Sequence, residues 1–314
     1  MTNSFNNFWN GLTNQQQSTV IWILVFSAIS FTIYTTYLII TGIIEYHKPV
    51  HIIKISIDNN RREDVDSSGE FSKLFTILHT PFQSDILTFE IHKVPTFEGV
   101  MMTTRNENKA QLISGILNNM EGITVEQIQE VQDPLDYFKS KGVNVKSTLF
   151  KSTKRFGNFN QNSTRFIQNI QGMIKNLPQG EHISVILTMR PVNLKQKLDI
   201  KIGELRYKVY DNKNKIPNQH KQYQIEKLTQ KNQHLIYTVI PQIIVTSKQT
   251  IQKLEGSFNL ISNENTLYPT NTKYNPKTQR FIQNQSIFST PLYWLGLSKS
   301  SYMNTKELGC WLYF

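Results

Sequence analysis

A chain of 314 residues with 39% hydrophobic and 11% aromatic side chains can bury a sizeable core, which excludes a disordered polypeptide. Its formal charge of +11 points to anionic neighbours, lipid head groups or nucleic acid, and its single cysteine, Cys310, excludes an intramolecular disulfide. The seven histidines, at 47, 51, 79, 92, 182, 220 and 234, lack zinc-ligand spacing, so neither a metal nor another cofactor is expected.

In chain order, residues 1–19 are a short polar tail and 20–44 are a twenty-five-residue apolar run without a charge. At about 1.5 Å per residue that run covers a hydrocarbon core of about 30 Å. It lacks the basic segment and small-residue cleavage site of a signal peptide, and Trp22 and Tyr46 suit the two interfacial belts. Lys48, Lys54, Arg61 and Arg62 follow the run, whereas 1–19 carry no Lys or Arg. The positive-inside rule then puts the tail outside and the body in the cytoplasm.

The expected fold class is α+β, with a ferredoxin-like domain at 45–136, a basic linker at 137–180 and a second, less regular α+β domain at 181–314. HIIKISI (51–57) alternates like a half-buried strand, and Phe71, Leu74, Phe75 and Leu78 fall at helical spacing. ILTFEIH (86–92) and EGVMMTT (98–104) read as strands. Asn106 caps a helix over 106–120 with Leu112, Ile113, Ile116 and Leu117 on one face, and ITVEQIQEV (123–131) returns as a strand. That β-α-β-β-α-β order predicts a four-stranded antiparallel sheet with two helices on one side. Beyond it, HISVILTMRP (182–191) reads as a strand, a helical insert reaches to about 232, and HLIYTVIPQIIVTS (234–247) is strand-like but interrupted by Pro241. SKQTIQKLEGSFNLI (247–261) is an amphipathic helix with Ile251, Leu254, Phe258 and Ile261 on one side, and YPTNTKYNPKTQ (268–279) reads as a loop.

No catalytic constellation is expected. KGVNVKST (141–148) lacks the glycine before the lysine that lets a phosphate-binding loop wrap its ligand, Asp133 and Asp136 read as a capped helix start, and neither G-x-S-x-G nor H-E-x-x-H occurs. The stretch 148–166 interleaves Lys151, Lys154, Arg155 and Arg165 with Phe150, Phe156, Phe159 and Phe166. Cations against phosphates and aromatic faces against bases form the recipe for sequence-tolerant single-strand binding, which makes DNA a candidate partner. The alternative is a solvated linker whose phenylalanines dock on the neighbouring sheet.

Several passages together resemble the membrane-anchored amino-terminal regions of type IV secretion and conjugative DNA-transfer ATPases. They are HIIKISI with FSKLFTILHT (71–80), ILTFEI with VEQIQEVQDP, GEHISVILTMRP (180–191), LEGSFNLISNENTLYP (254–269) and MNTKELGCWLYF (303–314). The last is similar to the family's L-N-T-E-E-L-A-x-L motif, with Lys306 in place of an acidic residue and Tyr313 in place of a histidine. In the family this motif leads into the motor domain. The resemblance therefore implies a non-catalytic docking and assembly subunit that holds a separate ATPase and other subunits of the machine. The partner surface is expected at Asn304, Thr305, Glu307, Leu308 and Trp311, where a short capped helix shows an apolar face. Closure of the domain's own core by those residues is the other reading. An anionic membrane surface and further copies of the chain complete the expected partners.

Overall fold

The computed structural model describes residues 10–47, 49–57, 67–79, 86–128, 133–139, 143, 145–153, 156–159, 166–210, 218–258, 265–271 and 301–311. A helix, α1 (Asn14–His47), comes first, and β1 (His51–Ile57) begins four residues after it. The rest of the first half is α2 (Ser67–Leu78), β2 (Leu87–Val94), β3 (Phe97–Thr104), α3 (Glu107–Asn118) and β4 (Ile123–Ile128). A 3-10 helix (Pro134–Lys139) leads to the second half, β5 (Lys146–Ser152), α4 (Phe166–Lys175), β6 (Ile183–Val192), α5 (Lys195–Tyr210), α6 (Gln219–Asn232), β7 (Ile236–Val245), α7 (Lys248–Phe258) and β8 (Leu267–Asn271). The described chain closes with β9 (Ser301–Asn304) and α8 (Thr305–Trp311).

The strands form one nine-stranded sheet, ordered β4-β1-β3-β2-β6-β7-β5-β8, with β9 also on β7. All the strand pairings are antiparallel. From the centre outward each half repeats the same order, β2-β3-β1-β4 on one side and β6-β7-β5-β8 on the other. The helical hairpin α5-α6 is an insertion between β6 and β7. The halves meet along β2 and β6, from Leu87↔Met189 to Lys93↔Ile183. The boundary expected at 137–180 therefore separates no sheets, because hydrogen bonds cross between the halves and the main core runs through both. The presumed linker itself carries β5 and α4.

Alternation along β2 puts Leu87, Phe89 and Ile91 in the main core and Thr88, Glu90 and His92 on the opposite face. That second face is buried too, since Leu135 and Phe138 of the 3-10 helix pack with Val94, Ile186 and Ile244. In α2, Phe71, Leu74, Phe75 and Leu78 are all buried, as their spacing requires. In α3 the Asn106 side chain caps the helix by accepting from the Lys109 amide at 3.2 Å. Its buried stripe is Ala110, Ile113 and Leu117 with Ile116 at the margin, while Leu112, about 100° round the helix from Ile113, is exposed. The turn into β4 needs φ of +69° at position 122, which glycine supplies without a Cβ clash.

Two prolines sit where the ladders allow them. Pro241 pairs with Leu187 on one side, but on the other β9 ends at Val239 and β5 begins at Gln242, so β7 continues through it. Pro269 lies in the edge strand β8, so Tyr268–Asn271 belong to the sheet and not to a loop; the remainder of 268–279, and Ile261, lie outside the described residues.

Tyr237 of β7 ties the second half to α2. Its hydroxyl donates to the Phe75 carbonyl at 2.6 Å, and its ring meets Phe75 and His79 edge-on at 5.8 and 5.2 Å. Burial pushes this phenol far above its ordinary range. In the unfolded chain it ionises near pH 10. The stability it contributes is therefore complete below about pH 10 and is lost as pH rises beyond that value. Denaturant midpoints measured from pH 8 to 11 should fall above pH 10, and Tyr237→Phe should flatten that fall while lowering the unfolding free energy at pH 8 by about 1 kcal/mol.

Candidate docking site

The carboxyl-terminal motif forms an internal joint of the fold. β9 pairs with the start of β7, and the Thr305 amide donates to the Leu235 carbonyl at 2.9 Å. Asn304 and Glu307 make a reciprocal capping box: the Glu307 amide donates to Asn304 Oδ1 at 2.8 Å, and the Asn304 amide donates to Glu307 Oε2 at 2.7 Å. The carboxylate also accepts from the Phe159 amide at 2.8 Å and from Lys231 Nζ of α6 at 3.2 Å. Lys231 Nζ donates in addition to the Gly157 carbonyl at 2.9 Å. Both charged side chains have no exposed surface. One carboxylate thus fastens α8, β9, α6 and the 157–159 segment, and its ring of donors offsets the cost of desolvating it.

The apolar side of α8 is equally enclosed. Leu308 and Trp311 are fully buried, α8 packs against α2, and Trp311 meets Phe159 and Phe258 edge-on at 5.8 and 6.4 Å. Asn304, Thr305, Glu307, Leu308 and Trp311 therefore close this domain's own core, and none offers a free face to a partner. The docking surface expected at these residues is therefore not free: their spacing marks an apolar face, and that face is covered by α2, Phe159 and Phe258.

The aromatic residues expected to stack on bases are occupied in the same way. Phe150 is 2% exposed and stacks on Phe258 at 4.3 Å, and Phe156 stacks on Tyr302 at 5.5 Å with Lys201 Nζ 4.9 Å from its ring. Phe159 is fully buried beside Trp311. Phe150 and Phe159 are core residues, and Phe156 is partly buried against the cluster that includes Leu198 and Tyr302. Lys154, Arg155 and Arg165 lie outside the described residues, as do the side chains of Lys151, Phe166 and Tyr46. Trp22 lies on α1, 58% exposed, among apolar side chains of which the body covers none in the Asn14–Tyr37 window. That helix is long and apolar enough to cross a membrane.

A second polar cluster lies on the face of the sheet opposite the main core, at the seam of the halves. His92 Nδ1 lies 2.6 Å from Ser184 Oγ and its Nε2 lies 2.8 Å from Glu90 Oε2, while Thr88 and Thr103 hydroxyls reach Glu90 Oε1. A hydroxyl, an imidazole and a carboxylate in line have the components of an acyl-transfer site. Glu90, His92 and Ser184 are nevertheless fully buried, so the cluster satisfies its own hydrogen bonds and presents no hydroxyl to a substrate. The alternation T-F-E-I-H signals that Thr88, Glu90 and His92 share a face, but Ser184 comes from a strand almost a hundred residues away. Lys231, likewise, has no local signal, whereas the Asn304-x-x-Glu307 spacing announces the capping box. Among the described residues no group of three or more His, Cys, Asp or Glu could hold a metal.

No family model matches the chain, and no curated protein sequence matches it.

Truncating Lys231 to Met leaves the Glu307 carboxylate buried without its cation. The expected loss is about 3–5 kcal/mol. The Lys231→Met/Glu307→Gln double variant should recover much of it, because no uncompensated charge remains. Equilibrium denaturation of the four-member cycle measures the coupling, and additive single losses would show that the two groups act separately.

Proposed function

We propose that this protein is a membrane-anchored docking and assembly platform of a type IV secretion or conjugative DNA-transfer machine, holding the motor ATPase at the membrane. The observation that carries the reading is the junction of α1 with the sheet. The helix reaches His47 and β1 begins at His51, so the connection spans at most about 14 Å. A rigid nine-stranded body is thereby held close to the bilayer surface, as a mount for other subunits requires. The order β2-β3-β1-β4, repeated as β6-β7-β5-β8, supports reading each half as ferredoxin-like, with the α5-α6 hairpin as an insertion in the second. The basic residues after α1 and their absence before it support a cytoplasmic body.

In this reading the chain contributes position and not turnover: the Ser184, His92 and Glu90 cluster is sealed inside the sheet. Binding of single strands through Phe150 and Phe156 is not favoured, because both rings would first have to leave the core contacts that hold them.

The test is purification of the full chain from its native membranes in mild detergent after brief crosslinking. The expected result is co-purification of a P-loop ATPase of the secretion kind in near-stoichiometric amount, with no ATP turnover by the isolated chain. Recovery of the chain without such an ATPase, or turnover by the chain alone, would contradict the proposal.

A further inference from the structure

The registers fix which ends of the strands lie together. His51 opposes Thr104, Thr104 opposes Leu87, Leu87 opposes Met189, and the row continues to Val192↔Ile236 and Ile236↔Asn304. The edge of the sheet where β1 begins, about 14 Å or less from the end of α1, is therefore also the edge from which α5 and α6 leave. The last turn of α2 and the turn before β7 lie on that edge as well.

The described exposed apolar side chains concentrate there. Outside α1, the large hydrophobic residues exposed to solvent are Ile77, Leu112, Ile200, Tyr207, Tyr223 and Leu235. Five of these six, all but Leu112, lie on this edge or on the hairpin that leaves it. Along α5 the buried stripe is Leu198, Ile202 and Val209, and the opposite stripe carries Ile200 and Tyr207, 57% and 71% exposed. Lys197, Lys201 and Lys208, all exposed, run along one flank of that outer stripe. Among the described residues, Ile236 and Tyr302 of the sheet enter the hairpin's own core as buried members, and both lie at the same edge. The sixteen residues of α5 give the hairpin a length of about 24 Å.

We infer that the outer face of α5, with Ile200 and Tyr207 beside a row of lysines on one flank, is a binding surface for the head groups of an anionic leaflet. It fixes the tilt of the body against the membrane in which α1 sits. The inference rests on the reading of α1 as a membrane anchor and gives that platform a second contact. An exposed aromatic and an aliphatic side chain with lysines along one flank suit an interface that is apolar below and negatively charged at its surface. The chemistry selects an anionic lipid surface over a protein groove because the short connection to α1 already brings this edge to the head groups, and because exposed lysines are depleted from the cores of protein interfaces. Each lysine close to such a surface strengthens binding by about five-fold.

The test uses the full chain with Cys310→Ser, reconstituted in vesicles of zwitterionic lipid alone or with one-third anionic lipid. A nitroxide is placed at Tyr207→Cys, or at Thr96→Cys on the opposite edge of the sheet as a control. Collision with nickel chelated to lipid head groups should be about five-fold or more higher at 207 in the anionic vesicles. It should be low at 96 in both, and Lys197→Gln/Lys208→Gln should sharply reduce the difference at 207 while the chain still floats and unfolds cooperatively. Equal accessibility at 207 in the two vesicle types, in a chain that floats with them in 0.5 M salt, would overturn the lipid contact alone. A chain that does not float would overturn the anchor and the contact together. Immobilisation at 207 by added single-stranded DNA, with no response to anionic lipid, would assign the face to nucleic acid instead and overturn the inference.

Discussion

Seven paired positions, from Leu87↔Met189 to Lys93↔Ile183, turn two four-stranded units into one sheet. Because β2 and β6 thereby become central strands, both of their faces must be covered, and the sequence meets this on each side. Leu87, Phe89, Ile91, Val185 and Leu187 face the helices, and Glu90, His92 and Ser184 face the other way in a closed hydrogen-bond network. A polar network at that depth is tolerable only when its members are satisfied, and each hydrogen bond then restricts the register of the strands that carry it. A slip of one residue at the seam would send Glu90 and His92 into the helix-side core.

The second constraint is the Glu307 carboxylate. Capping boxes usually sit at solvent-facing helix starts, where the glutamate is hydrated. Here the same side chain serves the cap, a backbone amide of the 157–159 segment and the Lys231 ammonium, all without exposed surface. Burial of His234 nearby lowers its affinity for a proton; Lys306 lowers it further and Glu307 opposes both. The last described helix is thus bound to the first half through α2 and to the hairpin through α6. Any load transmitted to α8 passes into both halves of the sheet and into the α5-α6 hairpin.

Local pattern was enough for the elements with strong period and clean boundaries. Phe71, Leu74, Phe75 and Leu78 mark α2, Asn106 marks the start of α3, and the alternation of 51–57 and 86–92 marks β1 and β2. What pattern cannot supply is the identity of a partner far along the chain. β5 was hidden because KSTLFKS lacks a sustained apolar alternation and gains its place only from β7 and β8. β8 was hidden by Pro269, which is tolerated at a sheet edge. The seam of β2 with β6 is not encoded in either strand alone, so two domains were expected where one sheet exists. The site shows the same limit. The composition of 148–166 suits base stacking or core packing equally, and only the positions of Phe258 and Tyr302 place Phe150 in the core and Phe156 against the hairpin's cluster.

The proposed platform depends on the union of this body with α1, whose apolar residues from Ile21 to Tyr37 face outward with no covering from the protein. A single sheet with a short connection to a long apolar helix suits the proposed role of a mount, and its two halves give it breadth. The most direct measurement is alkaline carbonate extraction of membranes carrying the full chain, beside a chain lacking residues 14–47. The account predicts that the full chain stays with the bilayer and the shortened chain is released as a folded, monodisperse body. Release of the full chain by carbonate would contradict it.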